Sequence, residues 1–314
     1  MHSERLRRIE RCSLVILTLN AQRYLPGLLT ALDNLVERPQ RVLFIDSASS
    51  DASVAMVQAA GHQVHGIARS DFGHGKTRNL ALQLCADSEY LVFLTHDACP
   101  CGRDWLGQLL SPFADPQVAL SYGRQRPRAG ASLPERFARE FNYPLLAERS
   151  QLADLPARGI KALFCSNSFA AYRREALQVV GGFPEHLPLG EDLAVALRLL
   201  QHGYARVYQP AAEVLHSHDY SLAQELRRYF DIGTLMSMDE QLQRLRVATS
   251  GEGLRFVRAE LAQAWRHDRV RGVGNVLLRT LSKYLGFALG QRYRLLPRRW
   301  RQRLSMHALF WSQS

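Results

Sequence analysis

The chain has no uninterrupted apolar run near the ~18 residues that a membrane-spanning helix requires, and its 314 residues hold no internal repeat and no low-complexity tract. Cysteine is scarce. Cys12, Cys85, Cys99, Cys101 and Cys165 are an odd number without a C-x-x-C pair, which argues against a disulfide framework and for reduced thiols in a cytoplasmic setting. Zinc-protease spacing is absent, and no G-x-G-x-x-G follows the first apolar run. The bases Arg5, Arg7, Arg8 and Arg11 precede that run as they would in a signal peptide, but it stops at Asn20 and is needed as a strand, so export is not expected. Acids are missing altogether from Arg279 onward. With 46% hydrophobic and 22% charged residues, the composition is that of a soluble globular protein with one large α/β core and an appendage.

What is present is a rhythm of buried strand, polar turn and helix. Ser13–Asn20, Val42–Asp46 and Tyr90–Thr95 are β-rich runs that end in small polar or acidic residues. Helical patterns follow the first two, from Tyr24 to Leu35 and through Val54 and Val57. Repeated βα units predict a mainly parallel sheet, whose ligands bind beyond the carboxyl ends of the strands. Asp46, Asp51 and Asp97 then gather along one edge. A solvated acid after a strand is the bland alternative for each.

Phe72-Gly73-His74-Gly75-Lys76-Thr77-Arg78-Asn79 opens a further helix, and Gly75-Lys76-Thr77 copies the end of a P-loop. The full motif fails, because Ser70 stands where its first glycine belongs and Ala68-Arg69-Ser70-Asp71 is not a buried strand. The glycines and the helix start still suit a phosphate. Farther on, Gly190-Glu191-Asp192 leads into an apolar helix, where paired acids commonly complement the helix dipole. His216-Ser217-His218-Asp219 follows another strand-like run, and its two histidines face the same way only if the chain bends. By itself the pair is weak evidence for a metal.

In this order, over residues 11 to 235, the segments resemble family 2 glycosyltransferases of the GT-A fold, an α/β fold with a mainly parallel sheet flanked by helices. The Gly75, Thr95-His96-Asp97 and His216–Ser221 segments look most like bacterial rhamnosyltransferases that use dTDP-L-rhamnose. The resemblance implies a donor site at Thr18, Asn20, Asp46, Ser49, Asp51, Gly75, Arg78, Asn79 and His96. In it Asp46 accepts from the pyrimidine N3–H, and Asp51 with Arg78 or Asn79 frames base and ribose. Asp97 matches the last acid of the family's D-x-D motif, the ligand of Mn²⁺ or Mg²⁺, while Thr95 replaces the first acid. His218 is the expected additional ligand, and imidazole with one carboxylate favours Mn²⁺ over Ca²⁺. Asp192 is assigned as general base of an inverting transfer and Glu191 as its support or an acceptor contact. Cys99 and Cys101 flank this site as packing residues.

The implied product is a cell-envelope glycan, lipopolysaccharide core or O-antigen, made at the inner membrane face. Charge supports that location. Residues 251–314 carry thirteen Lys or Arg against three acids, +10 of the chain's +11, so residues 1–250 read as a nearly neutral catalytic domain and 251–314 as a basic helical extension. Leu277, Leu281, Leu285 and Leu289 form a stripe away from Arg279 and Lys283, as on a helix lying against anionic lipid. A solvated helical cap is the rival for this region. A nucleic-acid-binding module fits the charge but not its confinement to one end. A nucleotidyltransferase fits the sheet and Asp97 but has no use for Asp192.

Overall fold

The computed structural model describes residues 2–244 and 250–313. A short helix α1 (His2–Glu10) leads into β1 (Cys12–Thr18), α2 (Leu25–Asp33), β2 (Arg41–Asp46), α3 (Ser53–Ala59), β3 (Gln63–Gly66), α4 (His74–Leu84) and β4 (Tyr90–Thr95). These four strands are parallel, in the order β3-β2-β1-β4. Every residue of β1 is buried. Leu14 and Ile16 join Phe44 and Val92 on one face, whereas Val15 and Leu17 join Ile45 and Phe93 on the other. Burial on both faces is why these strands read as unbroken apolar runs.

Register sets the site. Leu17 lies opposite both Ile45 and Thr95, and Thr18 opposite Asp46, so the polar ends of β1, β2 and β4 form one line.

Beyond β4 come β5 (Cys99–Pro100), α5 (Trp105–Leu110), β6 (Val118–Arg126), α6 (Leu133–Asn142), β7 (Glu148–Ser150), α7 (Leu155–Arg158), β8 (Phe169–Arg173), α8 (Arg174–Val179), α9 (Glu191–Gln201) and β9 (Ala205–Leu215). Here the sheet becomes mixed: β8 runs antiparallel to both β4 and β6, β9 parallel to β6, and β5 and β7 antiparallel to β9. The parallel half is the part that the βα rhythm predicts.

The chain continues through α10 (Leu222–Met238), α11 (Glu240–Arg244), α12 (Ser250–Gln291), α13 (Arg298–Leu304) and α14 (Ala308–Gln313). Arg269, at φ 45° and ψ −123°, breaks α12 into two arms. The arms fold back on each other, with Lys283 Nζ 5.5 Å from the Phe256 ring. The second arm meets α10 backbone to backbone. A Cβ on Gly286 would lie 2.2 Å from the Leu226 carbonyl oxygen, and one on Gly290 2.0 Å from that of Phe230, so only glycine permits this approach.

Arg279 Nη1 and Lys283 Nζ face the same interface, 2.9 and 3.6 Å from Glu225 Oε1. These two bases are therefore committed to the protein. On the other side of the arm Leu277, Leu281 and Leu285 are 53%, 53% and 44% exposed, while Leu289 packs into the cluster of Phe230, Tyr293 and Trp311. Among the described residues no helix is long and apolar enough to cross a membrane.

Candidate active site

The turns after β1 and β2 are laced together by side chains. Asp46 Oδ1 accepts from Thr18 Oγ1 (3.0 Å) and Ser49 Oγ (2.6 Å), and its Oδ2 accepts from the Ser49 backbone N–H (2.8 Å). Ser49 Oγ in turn accepts from the Asn20 N–H at 2.8 Å, while Asn20 Oδ1 accepts from the Ser50 N–H at 2.9 Å. Asn20 adopts φ 47°, a left-handed conformation that asparagine tolerates better than most residues. Asp51 accepts from the N–H groups of Gln22 (3.1 Å) and Ser53 (3.0 Å), and its carboxyl is held below the usual range, first by the Ser53 hydroxyl. His96 Nδ1 lies 3.1 Å from the Leu17 carbonyl oxygen, to which it donates. Thr18, Asn20, Asp46, Ser49, Asp51 and His96 thus line one edge; Asp46 is 4% exposed and retains one uncommitted lone pair on Oδ2.

Gly75, Arg78 and Asn79 lie against α9 and the loop before it. A Cβ on Gly75 would lie 2.0 Å from the Pro184 carbonyl oxygen, so glycine is needed there for α4 to pass the loop before α9. Asn79 Nδ2 donates to the Phe183 carbonyl (2.9 Å) and Glu185 (2.7 Å), bracing that loop. Arg78 is buried, with Nη1 3.0 Å from Glu191 Oε1 and donating also to the His74 carbonyl at 2.9 Å. Asn79 thus binds the loop before α9, and Arg78 binds α9 and its own helix.

The two acids at the start of α9 are therefore unlike. Glu191 is buried, accepting also from Asn167 Nδ2 at 2.8 Å; burial alone would raise its pKa, but Arg78 and then His74 bring it below the ordinary value. Asp192 keeps partial exposure, and its Oδ2 accepts from the Asn167 N–H at 3.2 Å. Its pKa is pushed up to about 6, first by burial and then by the charge of Glu191. Sequence spacing leaves the two acids equivalent; burial separates them, Glu191 being enclosed in its ion pair with Arg78 and Asp192 partly exposed.

Asp97 follows β4, and the chain after β9 bends at once. That bend brings Nε2 of both His216 and His218 within 3.4 and 3.5 Å of Asp97 Oδ2. His216 is the residue that the sequence reading passed over as a ligand. Its signal was the H-x-H spacing, which a straight strand would have split between two faces. Burial lowers the pKa of both imidazoles, that of His218 to about 3 with the charge of His216 as second cause, so both are neutral near pH 7. For Asp97 burial acts upward, but His216 and then His218 outweigh it and hold the carboxyl far below its usual range.

The orientation of His216 is fixed from behind. Gln125 Oε1, which also accepts from Arg139, accepts from the Nδ1–H of His216 at 2.8 Å. The Nε2 lone pair of a neutral His216 then faces a carboxylate oxygen, an arrangement that calls for a cation between them. With candidate ligand atoms within 4.8 Å of one another, one carboxylate and two imidazoles fit a divalent metal, Mn²⁺ better than Mg²⁺.

The family model for glycosyl transferase family 2 matches residues 13–181. The chain is 36% identical to the O-antigen chain rhamnosyltransferase RfbN of Salmonella typhimurium, over 96% of each protein. It is 38% identical to the O-antigen chain rhamnosyltransferase WbaN of Salmonella anatum, covering 90% of this chain and 89% of that one. Among solved structures it resembles the mannosyltransferase PcManGT of Pyrobaculum calidifontis, in complex with GDP-Man and Mn²⁺, at TM-score 0.56 and 18% identity over 96% of this chain and 86% of that one. The S. aureus TarS 1–349 complex with UDP-GlcNAc also gives TM-score 0.56, at 16% identity over 90% and 91%. The fold is GT-A and the protein is a glycosyltransferase: the chain belongs to glycosyl transferase family 2.

Proposed function

We propose that this glycosyltransferase moves L-rhamnose from dTDP-L-rhamnose, with inversion, to a growing O-antigen or related lipopolysaccharide glycan. The observation that carries the reading is the convergence of Asp97, His216 and His218 at the same sheet edge as Thr18 and Asp46. The names of the two rhamnosyltransferase relatives support the sugar and the glycan.

Asp192 takes the proton of the acceptor hydroxyl as that oxygen attacks the anomeric carbon, and the C–O bond to the diphosphate breaks on the opposite face. The raised pKa matches the task, since a base near neutrality is deprotonated yet still basic. Glu191, locked by Arg78, keeps Asp192 basic without entering the reaction. Asp97, His216 and His218 would hold Mn²⁺ or Mg²⁺, which when bound supplies Lewis-acid stabilisation of the departing diphosphate. The free lone pair of Asp46 Oδ2 suits the N3–H of thymine. The test is consumption of dTDP-L-rhamnose against UDP-glucose and GDP-mannose, with and without Mn²⁺. Preference for GDP-mannose rejects the donor assignment.

The acceptor reading places the enzyme on the cytoplasmic face of the inner membrane. Support comes from the second arm of α12, whose exposed face carries Leu277, Leu278, Leu281 and Leu285, with Arg266 and Arg271 exposed nearer the turn at Arg269. Such a surface suits anionic lipid, each exposed base adding on the order of 1 kcal/mol. Leu281→Glu with Leu285→Glu should abolish sedimentation with vesicles containing phosphatidylglycerol while sparing donor hydrolysis. Unchanged sedimentation would leave the apolar face without this role.

A further inference from the structure

The residues that lead into β8 lie between the two halves of the site. β8 runs antiparallel beside β4 with Phe169 opposite Leu94, so the segment before Phe169 lies against the strand end that carries Asp97. There the Thr95 N–H donates to the Ser168 carbonyl at 3.3 Å. The same segment also meets α9: Cys165 Sγ donates to the Asp192 carbonyl at 3.4 Å, and Asn167 touches both acids.

Asn167 is buried, and both ends of its amide are committed. Its Oδ1 accepts from the Tyr172 hydroxyl at 2.7 Å, and its Nδ2 donates to Glu191 Oε1 at 2.8 Å. Glu191, ionised beside Arg78, can only accept, which fixes the amide with Nδ2 towards it. The Tyr172 ring stands edge-on to Phe93 of β4 and Phe183 of the loop before α9, with centroids 5.9 and 5.3 Å away, and burial keeps its phenol protonated. Asp192 Oδ1 accepts from the Leu193 N–H at 2.8 Å and Oδ2 from the Asn167 N–H at 3.2 Å, so one backbone donor orients each oxygen of the base.

We propose that Asn167 is the positioning residue of the catalytic base: its side chain, gripped between Tyr172 and Glu191, keeps its N–H on Asp192 and holds that carboxylate in register with the Asp97 strand end. In an inverting displacement the base and the metal-held leaving group act on opposite sides of one carbon, so their separation decides whether both engage together. Residues 167 and 168 span that separation, bonded to Asp192 on one side and to Thr95 on the other. The inference rests on the reading of Asp192 as the base.

The titratable groups facing Asp192 are Glu191 on its own helix, Arg78 from α4, Cys165 and Tyr172 on either side of Asn167, and Tyr143 after α6. Burial keeps the thiol and both phenols neutral near pH 6, leaving Glu191 and Arg78 as the charged ones among them. Asn167→Ala releases the segment, so Asp192 and Glu191 each lose a donor. Losing a donor to the charged form raises a carboxyl pKa, so the acid limb of the kcat profile, near pH 6 in the native enzyme, should move to higher pH.

With dTDP-L-rhamnose, Mn²⁺ and a glycan acceptor, Asn167→Ala should lose roughly 10- to 100-fold in kcat while KM for the donor and affinity for dTDP stay native. Tyr172→Phe should lower kcat about two- to tenfold, the worth of one neutral hydrogen bond, and should add nothing in the Asn167→Ala background, because it acts through the same amide. Additive losses, a native kcat in Asn167→Ala, or dTDP affinity falling in step with kcat would each overturn the proposal. If Asn167→Ala does not fold, Tyr172→Phe, which removes one oxygen, decides it on kcat. NMR titration of the labelled Asp192 carboxyl needs no donor, and an unchanged pKa in Asn167→Ala also overturns the proposal. Full turnover in Asp192→Asn rejects the base itself, whereas an inactive Asp192→Asn beside a native-like Asn167→Ala rejects only the role of Asn167.

Discussion

Arg78 and Glu191 form an ion pair at 3.0 Å whose side chains are 3% and 6% exposed, joining the second turn of α4 to the first residue of α9. The pair fixes the helix start that carries Asp192, and its carboxylate raises the pKa of that base.

Removing one partner leaves a buried charge alone, which costs about 3–5 kcal/mol. Arg78→Met should lower stability on that scale in denaturant titration. Glu191→Gln also removes a negative charge beside Asp192, so the acid limb of the rate profile, expected near pH 6 in the native enzyme, should move to lower pH. An unmoved limb would mean that burial alone sets the pKa of Asp192.

The Asp97 cluster predicts a graded loss of metal. His216→Ala and His218→Ala should each weaken Mn²⁺ binding severely, and Gln125→Leu, which frees the back of His216, should cost about 10- to 100-fold. Calorimetry with Mn²⁺ reads this directly. Native affinity in His216→Ala would reduce the cluster to a hydrogen-bonded group.

Asp231, on α10, is fully buried; its Oδ2 accepts from the Met306 N–H at 2.8 Å, and burial pushes its pKa up to about 7. An unfolded aspartate titrates near about 3.9, so the folded chain holds this proton more tightly. The stability it contributes is complete below about pH 4 and is lost as pH rises through 7. Asp231→Asn, neutral throughout and still an acceptor for Met306, should unfold at a clearly higher temperature than the native chain at pH 8 and at a similar one at pH 4. Equal melting temperatures at pH 8 would contradict this.

The parallel half of the fold was legible because strands buried on both faces leave unbroken apolar runs that end where the site begins, as at Thr18, Asp46 and Thr95. The pairing of β8 between β4 and β6 was not, since antiparallel partners are chosen by packing rather than by a local pattern. Within the site, the motif order brought Asp97 and Asp192 forward, and His218 with them. The approach of His216 to Asp97 was missed because it depends on a bend, and the ion pair of Arg78 with Glu191 because sequence does not show which group a guanidinium faces. Of the Leu277 stripe, Leu277, Leu281 and Leu285 lie exposed, whereas Leu289 packs against Phe230, Tyr293 and Trp311. That Arg279 and Lys283 are spent on Glu225 follows from a glycine-mediated contact between α10 and the second arm of α12, which no local pattern shows.

Asp192 is the residue on which the account turns, and Asp192→Asn tests it with little change of volume. With dTDP-L-rhamnose, Mn²⁺ and a glycan acceptor, the variant should lose roughly 10²- to 10⁴-fold in turnover while its affinity for dTDP stays that of the native enzyme. Turnover near the native rate in the pure variant would contradict the assignment of Asp192 as the base.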